Sequence, residues 1–192
     1  MVHIHLSELE PRSDVLAGAG IGETHRDQIV SSIVLAENHD PLVVLDFERV
    51  QAVTASYLKP IVPIFYTIDS IPAGRSPYPL YANLSASAED DLHHFLVARA
   101  WPGIVGDLKR GRIQFKKIIG ALQATPNETL RRLSKIGSGT ASDLMQSAPR
   151  TEVALTAWNN RLAELARLRL AKREKKGRFW IYQPIVEVTN NG

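Results

Sequence analysis

An α/β unit followed by a smaller α+β unit is the fold this sequence predicts, and three observations predict it. Stretches patterned as buried strands alternate with helix-period stretches up to about residue 105. From about residue 125, three helix patterns follow one another and run into a basic, aromatic hairpin. Charge reverses between the two regions. Residues 1–105 hold 6 Lys/Arg against 13 Asp/Glu, a net of −7, whereas residues 106–192 hold 17 against 7, a net of +10. A reversal of that size implies units with different partners, the basic one drawn to a polyanion.

The composition narrows the class. With 44% hydrophobic and 22% charged residues the bulk of the 192-residue chain is globular rather than disordered. There is no cysteine, which excludes disulfides, thiol catalysis and cysteine-based zinc sites. No run approaches the roughly 18 apolar residues of a membrane helix. The opening "MVHIHLSELEP" lacks the basic lead and apolar block of a secretory signal, so a cytoplasmic address with no membrane contact is expected.

In the acidic region, "THRDQIVSSIVLAEN" reads as a helix capped at Thr24, with Ile29, Val30, Ile33 and Val34 on its apolar face. Val43, Val44 and Leu45 form the continuous apolar run of a strand covered on both faces. Asp46 ends that strand and is expected to bond local backbone. A helix follows, with Ser56 as its cap and Tyr57, Leu58, Ile61, Ile64 and Phe65 continuing apolar. "YPLYANLS" is strand-like, and "SAEDDLHHFLVARA" starts a helix whose acidic first turn suits the helix dipole.

Between the regions, residues 106–124 read as a hairpin-like connector. Lys109-Arg110-Gly111 forms its turn, and Ile113 and Phe115 alternate with Arg112, Gln114 and Lys116. This segment is expected to finish or edge the first sheet.

The basic region carries strong helix punctuation. In "TPNETLRRLSKIG", Thr125 and Glu128 make a capping-box pattern, Pro126 suits the first helical position, and Gly137 offers a left-handed stop. A short helix follows with Ser138 or Thr140 as cap. After Pro149, Thr151 restarts a helix on which Leu155, Trp158, Leu162 and Leu165 share one arc. The opposite arc holds Thr156, Asn160, Ala163 and Arg167, flanked by Asn159 and Arg161. A face meant only for water would carry Glu and Lys. Asn pairs bidentately with adenine, and small residues let a helix lie deep in a major groove. "KREKKGRFWIYQP" then packs positive charge around a turn at Gly177 and switches to aromatics, which reads as a hairpin. Its tip, with Lys175, Lys176 and Arg178, suits phosphates. Alternate residues among Phe179 to Tyr182 are expected to seal it onto the helices.

Three helices followed by a two-stranded basic hairpin resemble a winged helix-turn-helix domain over residues 125–188, most closely in "TAWNNRLAELARLRLAKREKKGRFWIYQPI". The resemblance implies double-stranded DNA binding, with residues 151–169 in the major groove and Lys175, Lys176 and Arg178 following phosphates. In residues 1–105, "VVLDFERVQAVTASYL" resembles the STAS-like domains of the anti-sigma-factor-antagonist type. Partner-switching members present a phosphorylatable serine in an Asp-Ser-Ser-Gly motif at a helix start, where a kinase-like ATPase docks. Those positions fall here on Thr54, Ala55, Ser56 and Tyr57, with the usual phosphorylated position at Ala55. Thr54 or Ser56 would then be left to accept phosphate.

No catalytic constellation emerges, and neither an enzyme nor a cofactor is expected. "AGAGIGETHRD" is G-x-G-x-G, not G-x-G-x-x-G, and reads as a loop feeding the Thr24 cap. His3 and His5 share one strand face, but no third ligand is apparent beside them, so no metal site is expected. His93 and His94 splay about 100° apart on a helix, and Glu89, Asp90 and Asp91 compensate its dipole. The expected function is that of a transcriptional regulator. Its basic domain would bind DNA, and its STAS-like domain would sense a signal, dock a protein such as an ATPase, or self-associate. The alternative is a non-enzymatic adaptor in a partner-switching or anti-phage complex, whose winged helix binds protein.

Overall fold

The computed structural model describes residues 1–38, 41–67, 71, 75–148 and 153–186. It divides into two compact units, Met1–Ala121 and Leu122–Gly192. Thr151, where the sequence restarts a helix, lies outside the described residues, as do Pro149 and the end of the predicted 125–188 domain.

The first unit is mixed α/β. Its elements in order are β1 (Val2–His5), α1 (Leu6–Leu9), β2 (Val15–Leu16), α2 (Ala19–Leu35), β3 (Leu42–Asp46), β4 (Ala52–Val53), α3 (Ala55–Ile61), α4 (Pro63–Tyr66), β5 (Tyr78–Ala82), α5 (Ala86–Val97), β6 (Pro102–Lys109) and β7 (Arg112–Gly120). The main sheet has the order β1-β3-β5-β6-β7; β1, β3, β5 and β6 run parallel and β7 closes one edge antiparallel. A short parallel pair, β2–β4, lies apart from it. Parallel strands need covered faces, and β3 shows this: Val43, Val44 and Leu45 on its two faces are all buried. Val43 and Leu45 join Ile29 and Ile33 of α2, Tyr57, Leu58 and Ile61 of α3, and Leu92 and Leu96 of α5 in one core.

Residues 106–120 belong to the main sheet of this unit, in β6, its turn and β7. Val105, where the sequence suggested that the first unit ends, lies midway along β6 and pairs with Tyr81 on one side and Lys117 on the other. Arg110 and Gly111, both at positive φ, turn β6 into β7. The edge strand β7 carries Lys116 and Lys117, which pair with Asp107 at 2.7 Å and Glu89 at 2.6 Å.

In this unit, two helix starts differ from those the sequence suggests. Helix α2 begins five residues before Thr24, which lies inside it and bonds back to the Gly20 carbonyl at 3.1 Å. The glycine-rich stretch is thus helix, not loop. Gly22 is needed for close packing, because a Cβ there would meet the Tyr57 carbonyl oxygen at 2.5 Å and Pro60 at 2.7 Å. Helix α3 is capped by Thr54, not Ser56; the Thr54 hydroxyl accepts from the Tyr57 amide.

The second unit is built from α6 (Ala124–Ile136), α7 (Ala141–Ser147), α8 (Leu155–Arg167), β8 (Ala171–Lys176) and β9 (Phe179–Pro184). Leu130 and Leu133 of α6, Leu144 of α7, and Trp158, Leu162 and Leu165 of α8 are buried. The Thr125 capping box does not form. Helix α6 starts at Ala124, two residues before the predicted first position, Thr125 gives its carbonyl to Thr129, and Glu128 pairs with Arg132 at 2.8 Å. The box forms instead at α7, between Thr140 and Asp143. Gly137 ends α6 at φ +75°, as its sequence position suggested.

Candidate functional site

Helix α8 is amphipathic in the sense its sequence dictates. Trp158, Leu162 and Leu165 have no exposed surface, but Leu155, predicted on the same arc, is the helix's first residue and is 44% exposed; Thr156, Asn159, Asn160, Ala163 and Arg167 are exposed as expected. A helix of 13 residues is about 20 Å long and about 10–12 Å across, a match for a major groove about 12 Å wide.

Hairpin β8–β9 is closed by Gly177 at φ +60° and Arg178, with Lys176 opposite Phe179 and Lys175 opposite Trp180. Lys175, Lys176 and Arg178 are all exposed. The base of the hairpin is fixed to the helices by Ala171 and Tyr182, both buried. A further strand contact holds it. Gly139, between α6 and α7, exchanges two backbone hydrogen bonds of 2.9 Å with Tyr182. Only the glycine itself hints at this bridge in the sequence. A Cβ at Gly139 would lie 2.8 Å from Ile136 and 3.1 Å from Asp143.

The aromatic strand departs from expectation. Of Phe179, Trp180, Ile181 and Tyr182, only Tyr182 is buried; Phe179 is 54% and Trp180 43% exposed. The hairpin outruns its helical support, so its outer half covers no core. One cation lies against each ring: the Arg178 guanidinium is 4.9 Å from the Phe179 ring centre, and that of Arg173 is 4.9 Å from Trp180, and both rings stay partly open to solvent.

Two predicted contact residues have work inside the unit. Arg161 is half-buried, its guanidinium 4.9 Å from the Trp158 ring centre, so its stem helps seal that indole. Arg167 forks onto Glu164 at 2.7 and 2.6 Å. Hydrogen bonds from Arg167 hold the Glu164 carboxyl below its ordinary range and raise the guanidinium in turn. The residues that most fully present themselves to a ligand are therefore Thr156, Asn159, Asn160, Ala163, Lys175, Lys176 and Arg178.

In the first unit, Thr54 and Ser56 stand at the start of α3. The Thr54 hydroxyl takes the Tyr57 and Gly18 amides at 3.3 Å each and lies 2.9 Å from that of Ser56, which is exposed. Tyr57 is buried, its phenol pushed up by desolvation and placed 2.9 Å from His25. His93 and His94 serve separate ends, His93 accepting from the Gly120 amide at 3.0 Å and His94 lying 2.8 Å from the Asp90 carbonyl.

At the opposite edge from β7, the register of β1 on β3 sets His5 beside Asp46. Asp46 is 2% exposed; its Oδ2 lies 2.9 Å from His3 Nε2 and 3.5 Å from His5 Nδ1. Its Oδ1 accepts from the Glu48 amide at 3.0 Å, the local bond the sequence suggested, and from Asn83 Nδ2 at 2.8 Å. The third donor that sequence reading could not find beside the histidine pair is thus Asp46, 41 to 43 residues away.

Set beside known proteins, the chain matches no family model, no curated protein and no solved structure.

Proposed function

We propose that the protein is a DNA-binding transcriptional regulator. In this reading residues 122–186 are a winged helix-turn-helix module, with α8 as the recognition helix and β8–β9 as the wing. The first unit is a STAS-like domain that docks a protein or a second copy. One observation carries it: α8 turns an amide-bearing, short-chained face to solvent in the same unit whose hairpin tip exposes Lys175, Lys176 and Arg178. Asn159 and Asn160 supply base-edge hydrogen bonding, and the hairpin cations supply counterion release. The Gly139–Tyr182 bridge supports the winged-helix assignment, since it ties the hairpin to the segment between the first two helices. The test is capture of fragmented genomic DNA by the purified full chain, with Asn160→Ala in parallel. Enriched duplexes lost from the variant's profile support the reading; a wild-type profile no different from random fragments refutes it.

The adaptor reading rests on a different feature, the exposure of Phe179 and Trp180 at the hairpin. Aromatic side chains rimmed by arginine also suit a protein interface. Replacing both aromatics with serine discriminates. An adaptor would lose its protein partner while the salt-dependent affinity for DNA, if any, stayed as it was.

A further inference from the structure

We propose that His3, His5 and Asp46 form a binding site for a first-row divalent transition-metal ion of the zinc class, at the carboxyl ends of β1 and β3. This goes beyond the DNA-binding reading and stands independently of it. The two histidines lie two residues apart on the half-exposed face of β1, and parallel pairing sets Asp46 beside His5. One nitrogen from each ring and one carboxylate oxygen lie within 4.8 Å of one another.

Hydrogen bonding explains only part of this arrangement. His3 Nε2 at 2.9 Å from Asp46 Oδ2 is an ordinary hydrogen bond, but His5 Nδ1 at 3.5 Å from the same oxygen is too long for a good one. The two rings also lie side by side, with centres 3.9 Å apart. Ligand atoms bound at about 2.0–2.1 Å to a tetrahedral ion stand roughly 3.3 Å apart, a value between the two distances seen. What the arrangement offers a cation is proximity: two ring nitrogens and one carboxylate oxygen close enough to turn toward a shared ion.

The outer shell is already built. Asn83 Nδ2 and the Glu48 amide occupy Oδ1 and fix the carboxylate plane, which leaves Oδ2 for an ion. Asn83 is locked in turn, at φ +56° and with its Oδ1 accepting from the Leu108 amide at 3.1 Å. Two imidazoles and one carboxylate suit zinc, iron(II) or cobalt(II) rather than magnesium or calcium. The histidine side chains are 29% and 36% exposed, so the remaining coordination positions face solvent and are open to water or an anionic ligand.

The test uses the tag-free full chain, stripped with a chelator and titrated with Co²⁺ and then Zn²⁺. We expect one saturable site per chain, a cobalt visible spectrum of reduced coordination number, and displacement of the cobalt by zinc. His3→Gln and His5→Gln lie on a half-exposed face and should fold normally by circular dichroism while abolishing the band. Asn83→Ala should weaken binding roughly 10–100-fold, the usual effect of removing an outer-shell partner. His94→Gln should leave it unchanged. Cobalt remaining in its hexaaqua form, or wild-type binding no stronger than that of the folded His3→Gln/His5→Gln double variant, overturns the proposal.

Discussion

Neutralising the hairpin tip by Lys175→Gln, Lys176→Gln and Arg178→Gln together should flatten the salt dependence of DNA binding. All three side chains are exposed. Glu174 approaches Lys176 only to 3.8 Å, and an exposed pair that loose does little to hold it back from phosphate. Each cation that neutralises a phosphate contributes about −0.9 to the slope of log affinity against log salt. If two or three of the residues reach phosphates, the slope becomes less steep by about 1.8 to 2.7. Between about 50 and about 200 mM salt, the variant should therefore lose roughly 12- to 40-fold less affinity than the wild type. Fluorescence anisotropy on a short labelled duplex measures this, and no operator is needed because the electrostatic contribution is independent of sequence. None of the three side chains is in the core, so melting temperature should not change. Parallel lines for the two proteins on the log–log plot would refute the reasoning.

Asn160→Ala should cost about 1–3 kcal/mol of discrimination between preferred and random duplexes while shifting non-specific affinity little; competition binding checks it. Thr54→Ala should destabilise the chain by about 1 kcal/mol in urea unfolding, and Ser56→Ala by much less, because Thr54 holds the cap. Gly22→Ala should cost about 1–3 kcal/mol, since its Cβ would collide with the Tyr57 carbonyl and neither helix can yield freely. Burial holds the His25 imidazole below its ordinary range, with a Leu9 backbone bond and Glu10 opposing more weakly. The unfolded chain then binds more protons than the folded one as pH falls through about 6.5, so this stability is present above that pH and is lost below it. Melting temperature should fall more between about pH 7.5 and about pH 5.5 in the wild type than in His25→Asn, and equal falls would show that His25 is not the cause.

Local chemistry fixed much of this molecule in advance. The Val43–Leu45 run, the arc through Trp158, Leu162 and Leu165, the left-handed stop at Gly137 and the turn at Gly177 are legible because periodicity and positive φ leave direct marks on residue choice. Caps were less legible. Thr24 and Thr125 have the right chemistry for a helix start yet lie inside helices, since where a helix begins also depends on what its first turn packs against. The exposure of Phe179 and Trp180 depends on how far the hairpin extends past its helices, which no aromatic pattern reveals. The meeting of His3 and His5 with Asp46 required the parallel register of two strands some forty residues apart. By itself the sequence determined the main strands and helices, such as β3, α5, α8 and the β8–β9 hairpin, and where charge concentrates, because those follow from neighbours along the chain. Only tertiary structure decided which distant side chains share a site, because that is set by strand pairing and packing.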